Sequence, residues 1–278
     1  MPGRPGTPFP LSKGVQALSE NGTPALELVG INKSFGAVHV LHDVDLAVYP
    51  GQVTALIGDN GAGKSTLIKS IAGIYPVDSG RILFEGNEVH ISSPKDAADL
   101  GIEIVYQDLA LADNLDIAQN MFLGRERKRG IVLDEASMEQ AARDTLARLS
   151  VRTVSSVRQL VASLSGGQRQ TVAIAKAVLW ESKVVVLDEP TAALGVAQTR
   201  QVLDLVRRLA ETGHGVVLVS HNMNDVFEVA DRITTLYLGR VAADVKRTDV
   251  TQSQVVELMT LGRSGDLGLA PATAAESI

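Results

Sequence analysis

Apolar positions along this chain fall into two rhythms. Short, nearly unbroken apolar runs lie at residues 53–57, 102–106, 184–187, 216–220 and 233–237. Runs of that length, bounded by polar or glycine-rich stretches, predict strands buried on both faces. Between them the period lengthens. In residues 197–211, Val202, Leu205, Val206 and Leu209 share one face of a predicted helix. Another helix is predicted from Lys64 to near Gly73, which fits a C-cap. Thr251 and Gln254 make a capping-box pattern ahead of Val255 and Leu258. Residues 25–31 alternate in part and predict an outer strand. Strands alternating with helices imply an α/β fold, with a mostly parallel sheet covered on both faces.

Residues 108–180 break this order. They hold no convincing strand run, and Met138, Ala142, Leu146 and Leu149 make an apolar stripe at helical spacing, with Asp134 as an N-cap. This stretch reads as a helical insertion into the α/β core. Residues 1–24 are rich in Pro, Gly, Ser and Thr without a sustained period and are expected to form a flexible leader. Residues 263–278 are expected to form a flexible small-residue tail, leaving one main domain over 25–262. No fixed-period repeat occurs, which argues against a solenoid.

Composition narrows the function. The chain has 278 residues, 45% apolar and 21% charged, in the range of a globular protein able to bury a core without staples. It has no cysteine, so disulfides, thiolate metal sites and cysteine nucleophiles are excluded. The net charge of −6 argues against a general nucleic-acid binder, which needs a basic face. No signal-peptide stretch is visible, and no run nears the ~18 apolar residues of a membrane helix. A membrane role would therefore be peripheral, through a partner.

The sharpest local signal is Gly58, Asp59, Asn60, Gly61, Ala62, Gly63, Lys64, Ser65 and Thr66. It follows an apolar strand and opens a helix, the context of a P-loop. Glycines bring backbone N–H groups close to phosphate, and the helix turns its positive end to the same anion. Lys64 supplies a cation for β- and γ-phosphates, and the Ser65 hydroxyl can ligate Mg²⁺. The second signal is the apolar run at 184–187 ending in Asp188 and Glu189. Alone, that reads as a solvated strand end. Beside a P-loop it delivers two carboxylates to the carboxyl edge of the sheet, Asp188 toward Mg²⁺ and Glu189 toward the attacking water.

P-loops serve many ATPases and GTPases. The discriminator is Leu164, Ser165, Gly166, Gly167 and Gln168, shortly before the acidic strand. Physically it is a second helix N-terminus with exposed N–H groups. It resembles the signature motif of ABC ATPases, and other positions fit in the same order. Gln107 resembles the Q-loop glutamine that senses Mg²⁺ and water. His221 resembles the switch histidine at the γ-phosphate, and Phe35 the aromatic residue stacked on adenine. Residues 191–195 stand where the D-loop belongs. The resemblance spans about residues 26–262. It implies the ABC ATPase fold, with an N-terminal antiparallel β subdomain and an inserted helical subdomain, and Mg-ATP as ligand. It also implies a homodimer with each nucleotide between the P-loop of one copy and the signature motif of the other. His39, His42, His90 and His214 carry no motif. Trp180 reads as core, at the end of a helix starting near Ser165, and residues 125–129 as a solvated basic loop.

Residues 120–126, 172–177 and 191–195 resemble the ATPases of monosaccharide importers. That resemblance implies an integral membrane permease as partner, contacted by residues 109–120, and indirectly a substrate-binding protein. It places the chain peripherally on the cytoplasmic face of the cell membrane. Two departures stand out: one cassette where many monosaccharide ATPases carry two, and Gly195 where most ABC proteins have an aspartate. The alternatives are an ABC ATPase of another importer class, a soluble ABC ATPase without transport, and a nucleotide-sensing module that does not turn ATP over.

Overall fold

The computed structural model describes residues 22–269 apart from Arg152. Nearly all of the expected leader, and the tail beyond residue 269, lie outside the described residues. In chain order the first elements are β1 (Leu26–Phe35), β2 (Val38–Val48), β3 (Val53–Gly58), α1 (Lys64–Ile71), β4 (Ser79–Phe84), β5 (Asn87–Val89), α2 (Pro94–Asp99) and β6 (Ile102–Val105). The insertion holds α3 (Ile117–Phe122), β7 (Lys128–Arg129), β8 (Val132–Leu133), α4 (Glu135–Arg148) and α5 (Gly166–Val178). The chain returns through β9 (Val184–Asp188), α6 (Val196–Glu211), β10 (Gly215–Val219), α7 (Met223–Val229) and β11 (Arg232–Tyr237). It closes with β12 (Arg240–Lys246), α8 (Gln252–Leu261), β13 (Arg263–Ser264) and β14 (Leu267–Gly268).

The central sheet runs β12-β11-β3-β10-β9-β6. All its pairings are parallel except β12 on β11. Its strands are apolar on both sides because both faces are covered. Val185 and Leu187 pack with Phe122, Ile174 and Val206 under the helical insertion, whereas Val184 and Val186 pack with Leu67, Ile71 and the antiparallel sheet. Period-two alternation along one strand thus feeds two cores. A third core lies under α7 and α8, around Ala55, Ile57 and Ile233. The antiparallel sheet, ordered β2-β1-β4-β5, is the expected N-terminal β subdomain.

Four expectations are corrected. Within 108–180, β7 and β8 form a small hairpin, and Ile131 in its turn is fully exposed. The tail expected from residue 263 is ordered over 263–268. There β13 and β14 pair, the Ser264 hydroxyl donates to Glu257 at 2.5 Å, and Leu267 packs on the third core. Small residues permit this close hairpin: a Cβ on Gly262 would meet the Tyr237 ring at 2.7 Å. The helix after Ser165 ends at Val178, before Trp180. Trp180 is half-buried and packs edge-on to Phe122 at 5.4 Å. The basic stretch is not merely solvated either. Arg125 lies over Trp180 and pairs with Glu103 at 3.0 Å, and Arg127 lies over Phe122.

Candidate functional site

Parallel strands carry their carboxyl ends to one edge, and the chemistry gathers there. Strand β3 is buried throughout and ends at Gly58, where a Cβ would meet the Leu236 carbonyl oxygen at 2.5 Å. The loop then turns on its own hydrogen bonds: Ala62 N–H donates to the Asp59 carbonyl, and Asn60 N–H to the Asp59 carboxylate. Gly63 is the N-cap of α1 with φ of 102°, in the left-handed region. A Cβ there would lie 2.8 Å from the Leu41 side chain, so glycine is needed for both conformation and space. No side chain caps α1, and no acid lies in its first turn. Its initial N–H groups therefore have no side-chain acceptor at the N-cap. The Lys64 ammonium folds back over this loop, donating to the Gly58 carbonyl at 2.6 Å and the Asp59 carbonyl at 3.0 Å.

The acidic pair stands beside it. Val219 of β10 pairs with both Leu56 of β3 and Asp188 of β9, so β9 and β10 end level and β3 runs two residues further, to Gly58. Glu189 follows Asp188 with φ of 50°, its N–H donating to the Val219 carbonyl at 2.9 Å. The His221 ring, just beyond β10, places Nδ1 2.9 Å from the Glu189 carboxylate. Burial pushes the Asp188 carboxyl up, and Glu189 adds to this, while Lys64 and Lys69 oppose it. Burial pulls the Lys64 ammonium down against the attraction of Glu189, Asp59 and Asp188. Burial also raises the Tyr106 hydroxyl, with Asp188 adding. Gln107 lies exposed just past β6, at the same sheet edge.

The fold therefore brings together the loop from Gly58 to Thr66 with Asp188, Glu189 and His221. It does not bring the signature motif there. Ser165 caps α5 through a capping box: Gln168 N–H donates to the Ser165 hydroxyl at 3.3 Å, and Ser165 N–H to the Gln168 side chain at 2.8 Å. Ser165 and Gly166 are exposed, and both glycines face the segment before and within α6. A Cβ on Gly166 would meet Leu194 at 3.2 Å, and one on Gly167 would meet Gln198 at 3.0 Å. Phe35 is 42% exposed at the end of β1, with Tyr75 edge-on at 5.0 Å and the Lys33 ammonium 5.5 Å from the ring centroid.

Oxygen chemistry at this edge suits a hard cation. The Ser65 hydroxyl is exposed, and Asp188 is a half-buried carboxylate. Among the described residues no three His, Cys, Asp or Glu side chains gather to hold a metal by themselves. Two protein oxygens fit a cation that completes its shell with phosphate and water.

Two polar groups here escaped sequence reasoning. Tyr106 lies close enough to Asp188 to feel its charge. Asp225, in the first turn of α7, is buried and accepts a hydrogen bond from the Thr191 hydroxyl at 2.6 Å. The only signal for Asp225 was its place four residues after His221.

Proteins of similar sequence and shape are known. The family model described as ABC transporter matches residues 41–192, more than half of the chain. The chain is 49% identical to the fructose import ATP-binding protein FrcA of Rhizobium meliloti over 244 residues, covering 85% of this chain and 94% of that protein. It is 44% identical to the xylose/arabinose import ATP-binding protein XylG of Sulfolobus acidocaldarius, covering 88% and 97%. With the ribose import ATP-binding protein RbsA 2 of Escherichia coli O157:H7 it shares 40% identity, covering 86% of this chain but 47% of that protein. A solved nucleotide-free ATP-binding cassette from an ABC transporter superposes with a TM-score of 0.75 at 26% identity, covering 84% of this chain and 98% of that one. With a family model over more than half of its length and relatives 40–49% identical over most of it, this chain belongs to the ABC transporter family.

Proposed function

We propose that the chain is the ATP-hydrolysing subunit of an importer, driving uptake of a monosaccharide through a separate permease. The observation that carries the reading is the convergence of Lys64, Asp188, Glu189 and His221 at the ends of neighbouring strands, with His221 Nδ1 2.9 Å from Glu189. The glycine-turned loop and the uncapped start of α1 receive the β- and γ-phosphates, and Lys64 shifts from the Gly58 and Asp59 carbonyls to phosphate oxygens. Ser65, Asp188 and Gln107 are the groups that hold Mg²⁺, which when bound neutralises charge on the phosphate oxygens. Glu189 orients the attacking water and accepts hydrogen bonding from it; His221 faces the γ-phosphate. Phe35 stacks on adenine. The sugar assignment rests on the relatives whose names specify fructose, xylose/arabinose and ribose import.

The open start of α1 and the signature turn at the start of α5 lie apart in the described residues, and the working unit in this reading is a homodimer that brings the two together. Each triphosphate lies between the P-loop of one copy and Ser165, Gly166, Gly167 and Gln168 of the other. The bound triphosphate favours the closed pair, and its cleavage removes that preference, which is what a two-state motor requires. Among the described residues no helix is long and apolar enough to cross a membrane. The permease supplies the crossing, docking on residues 109–120 at the cytoplasmic face, with a substrate-binding protein delivering the sugar. The test is Glu189→Gln. The variant should bind ATP and accumulate as nucleotide-bound dimers, with hydrolysis reduced about a hundredfold or more. Hydrolysis at the parental rate would remove Glu189 from the catalytic role and the reading with it.

A further inference from the structure

The turn after β9 is under conformational strain. Within five residues, Glu189 and Ala193 both adopt left-handed backbone, with φ of 50° and 59°. Neither is glycine, and such residues persist only where their surroundings over-determine them. Part of the restraint is local: Ala192 N–H donates to the Glu189 carbonyl at 3.1 Å, and Leu194 N–H to that of Thr191 at 3.3 Å. The other part comes from outside the turn. The Thr191 hydroxyl donates to the Asp225 carboxylate at 2.6 Å, a short contact of the charge-assisted kind.

Asp225 stands in an unusual place for an acid. It is 5% exposed, in the first turn of a helix whose N-cap, Asn222, already accepts from Asn224 N–H at 3.0 Å. Its carboxylate is committed across to the strained turn. The segments it joins are those that carry Glu189 and His221. Glu189 lies two residues before Thr191, and His221 four before Asp225. On the site side the two segments meet through His221 and Glu189 at 2.9 Å; on the buried side they meet through Asp225 and Thr191 at 2.6 Å. With the Glu189 N–H to Val219 carbonyl bond at the strand ends, these two side-chain contacts hold the segments beyond β9 and β10 on both sides.

We infer that Asp225 is a positioning residue for hydrolysis: through the Thr191 hydroxyl it clamps the strained turn to the His221 segment, so that Glu189 and His221 stay in register. The inference rests on the assignment of Glu189 and His221 to hydrolysis. It adds a role for a buried acid whose partner is the Thr191 hydroxyl.

The experiment uses the purified full-length chain and steady-state ATP hydrolysis, with affinity measured separately by a fluorescent ATP analogue. Thr191→Val keeps the side-chain shape and removes the hydroxyl. It should lower kcat about tenfold while changing KM and analogue affinity less than twofold. Thr191→Ser, which keeps the hydroxyl, should recover most of the loss. Asp225→Asn should behave like Thr191→Val, and the double variant should be no worse than either single one, because both break the same contact. Retained analogue binding shows that each variant is folded. Should Thr191→Val match the parent in kcat, or should the double variant lose kcat as the product of the single losses, the clamp is overturned. Glu189→Gln in the same series separates the two failures. If it abolishes hydrolysis while Thr191→Val does nothing, only the clamp falls. If it leaves hydrolysis intact, the underlying site assignment falls.

Discussion

Two helices of this chain begin where an anion is expected, and they begin differently. Helix α1 starts from Gly63, which has no side chain to offer, and its first turn holds no acid. Helix α5 starts from Ser165, whose hydroxyl and Gln168 close a reciprocal capping box. The first end is left open, with a cation, Lys64, held beside it. The second satisfies two of its own N–H groups, those of Ser165 and Gln168, and the Gln168 side chain is further tied to the Thr153 carbonyl at 2.5 Å. An open end costs stability and suits a site that holds its ligand tightly. A self-capped end is stable alone and suits a surface that meets its ligand only when a second molecule brings it. The Ser165 oxygen accepts from Gln168 N–H, and its own proton remains free to point outward.

The comparison breaks first at Lys64. If the open end depends on its cation, Lys64→Ala should weaken ATP binding about tenfold to a hundredfold, the range of one or two lost charge-assisted contacts. Titration with a fluorescent analogue measures this, and affinity within twofold of the parent would mean that the loop holds phosphate by its backbone alone. Next is the geometry of the two ends. Gly63→Ala forces a side chain into left-handed backbone and against Leu41, at about 2–3 kcal/mol. Gly166→Ala meets only Leu194 at 3.2 Å, without a left-handed φ, and should cost under about 1 kcal/mol. Equal losses of thermal stability would erase the distinction between a conformational glycine and a packing one.

At the capped end, Ser165→Ala removes the cap and should cost about 1 kcal/mol, or about 2–4 °C in Tm. Ser165→Asp sharpens the point, because aspartate caps as well as serine yet repels phosphate. It should keep Tm near the parental value while abolishing ATP-driven pairing, read by light scattering with Glu189→Gln as background. Pairing retained in the Asp variant would take the signature turn out of the phosphate site.

What the sequence made legible divides along similar lines. The buried parallel strands, α1 and the helix start near Ser165 were readable because each is set by local pattern. Most of the antiparallel sheet was not. β1 and β2 pair with repeated register shifts, between Leu28 and Ile31 and on to Ser34, so no clean alternation survives in the sequence. β13 and β14 are two residues each and gain their order by packing on α8 and β12, which no local pattern announces. At the site, Gly58 to Thr66, Asp188, Glu189 and His221 could be named because their spacing is a motif. Asp225 could not, since its partner is 34 residues away and only the parallel pairing of β9 and β10 brings them together.

The smallest effect is at Asp188, behind the open end. Its carboxyl is raised by burial first and by Glu189 second. The folded chain therefore holds that proton more readily than the unfolded chain does. Stability then falls as pH rises from about 4, the ordinary aspartate value, through the raised folded value, and the whole penalty is present at neutrality. Asp188→Asn removes the penalty. It should raise Tm at pH 7 by about 1 °C and lose that advantage below about pH 4. Asp78 gives the opposite sign. The Lys33 ammonium and Ser34 N–H hold its carboxyl below the ordinary range, so its ionised form is favoured in the folded chain. Asp78→Asn should lower Tm at pH 7, and the difference should shrink as pH falls through that depressed value. Melting curves of the two variants from about pH 2.5 to 7.5 decide the matter. If Asp188→Asn were the less stable chain at neutrality, the carboxylate would be an asset to the fold on its own, and the open end would carry no stored cost for Mg-ATP to relieve.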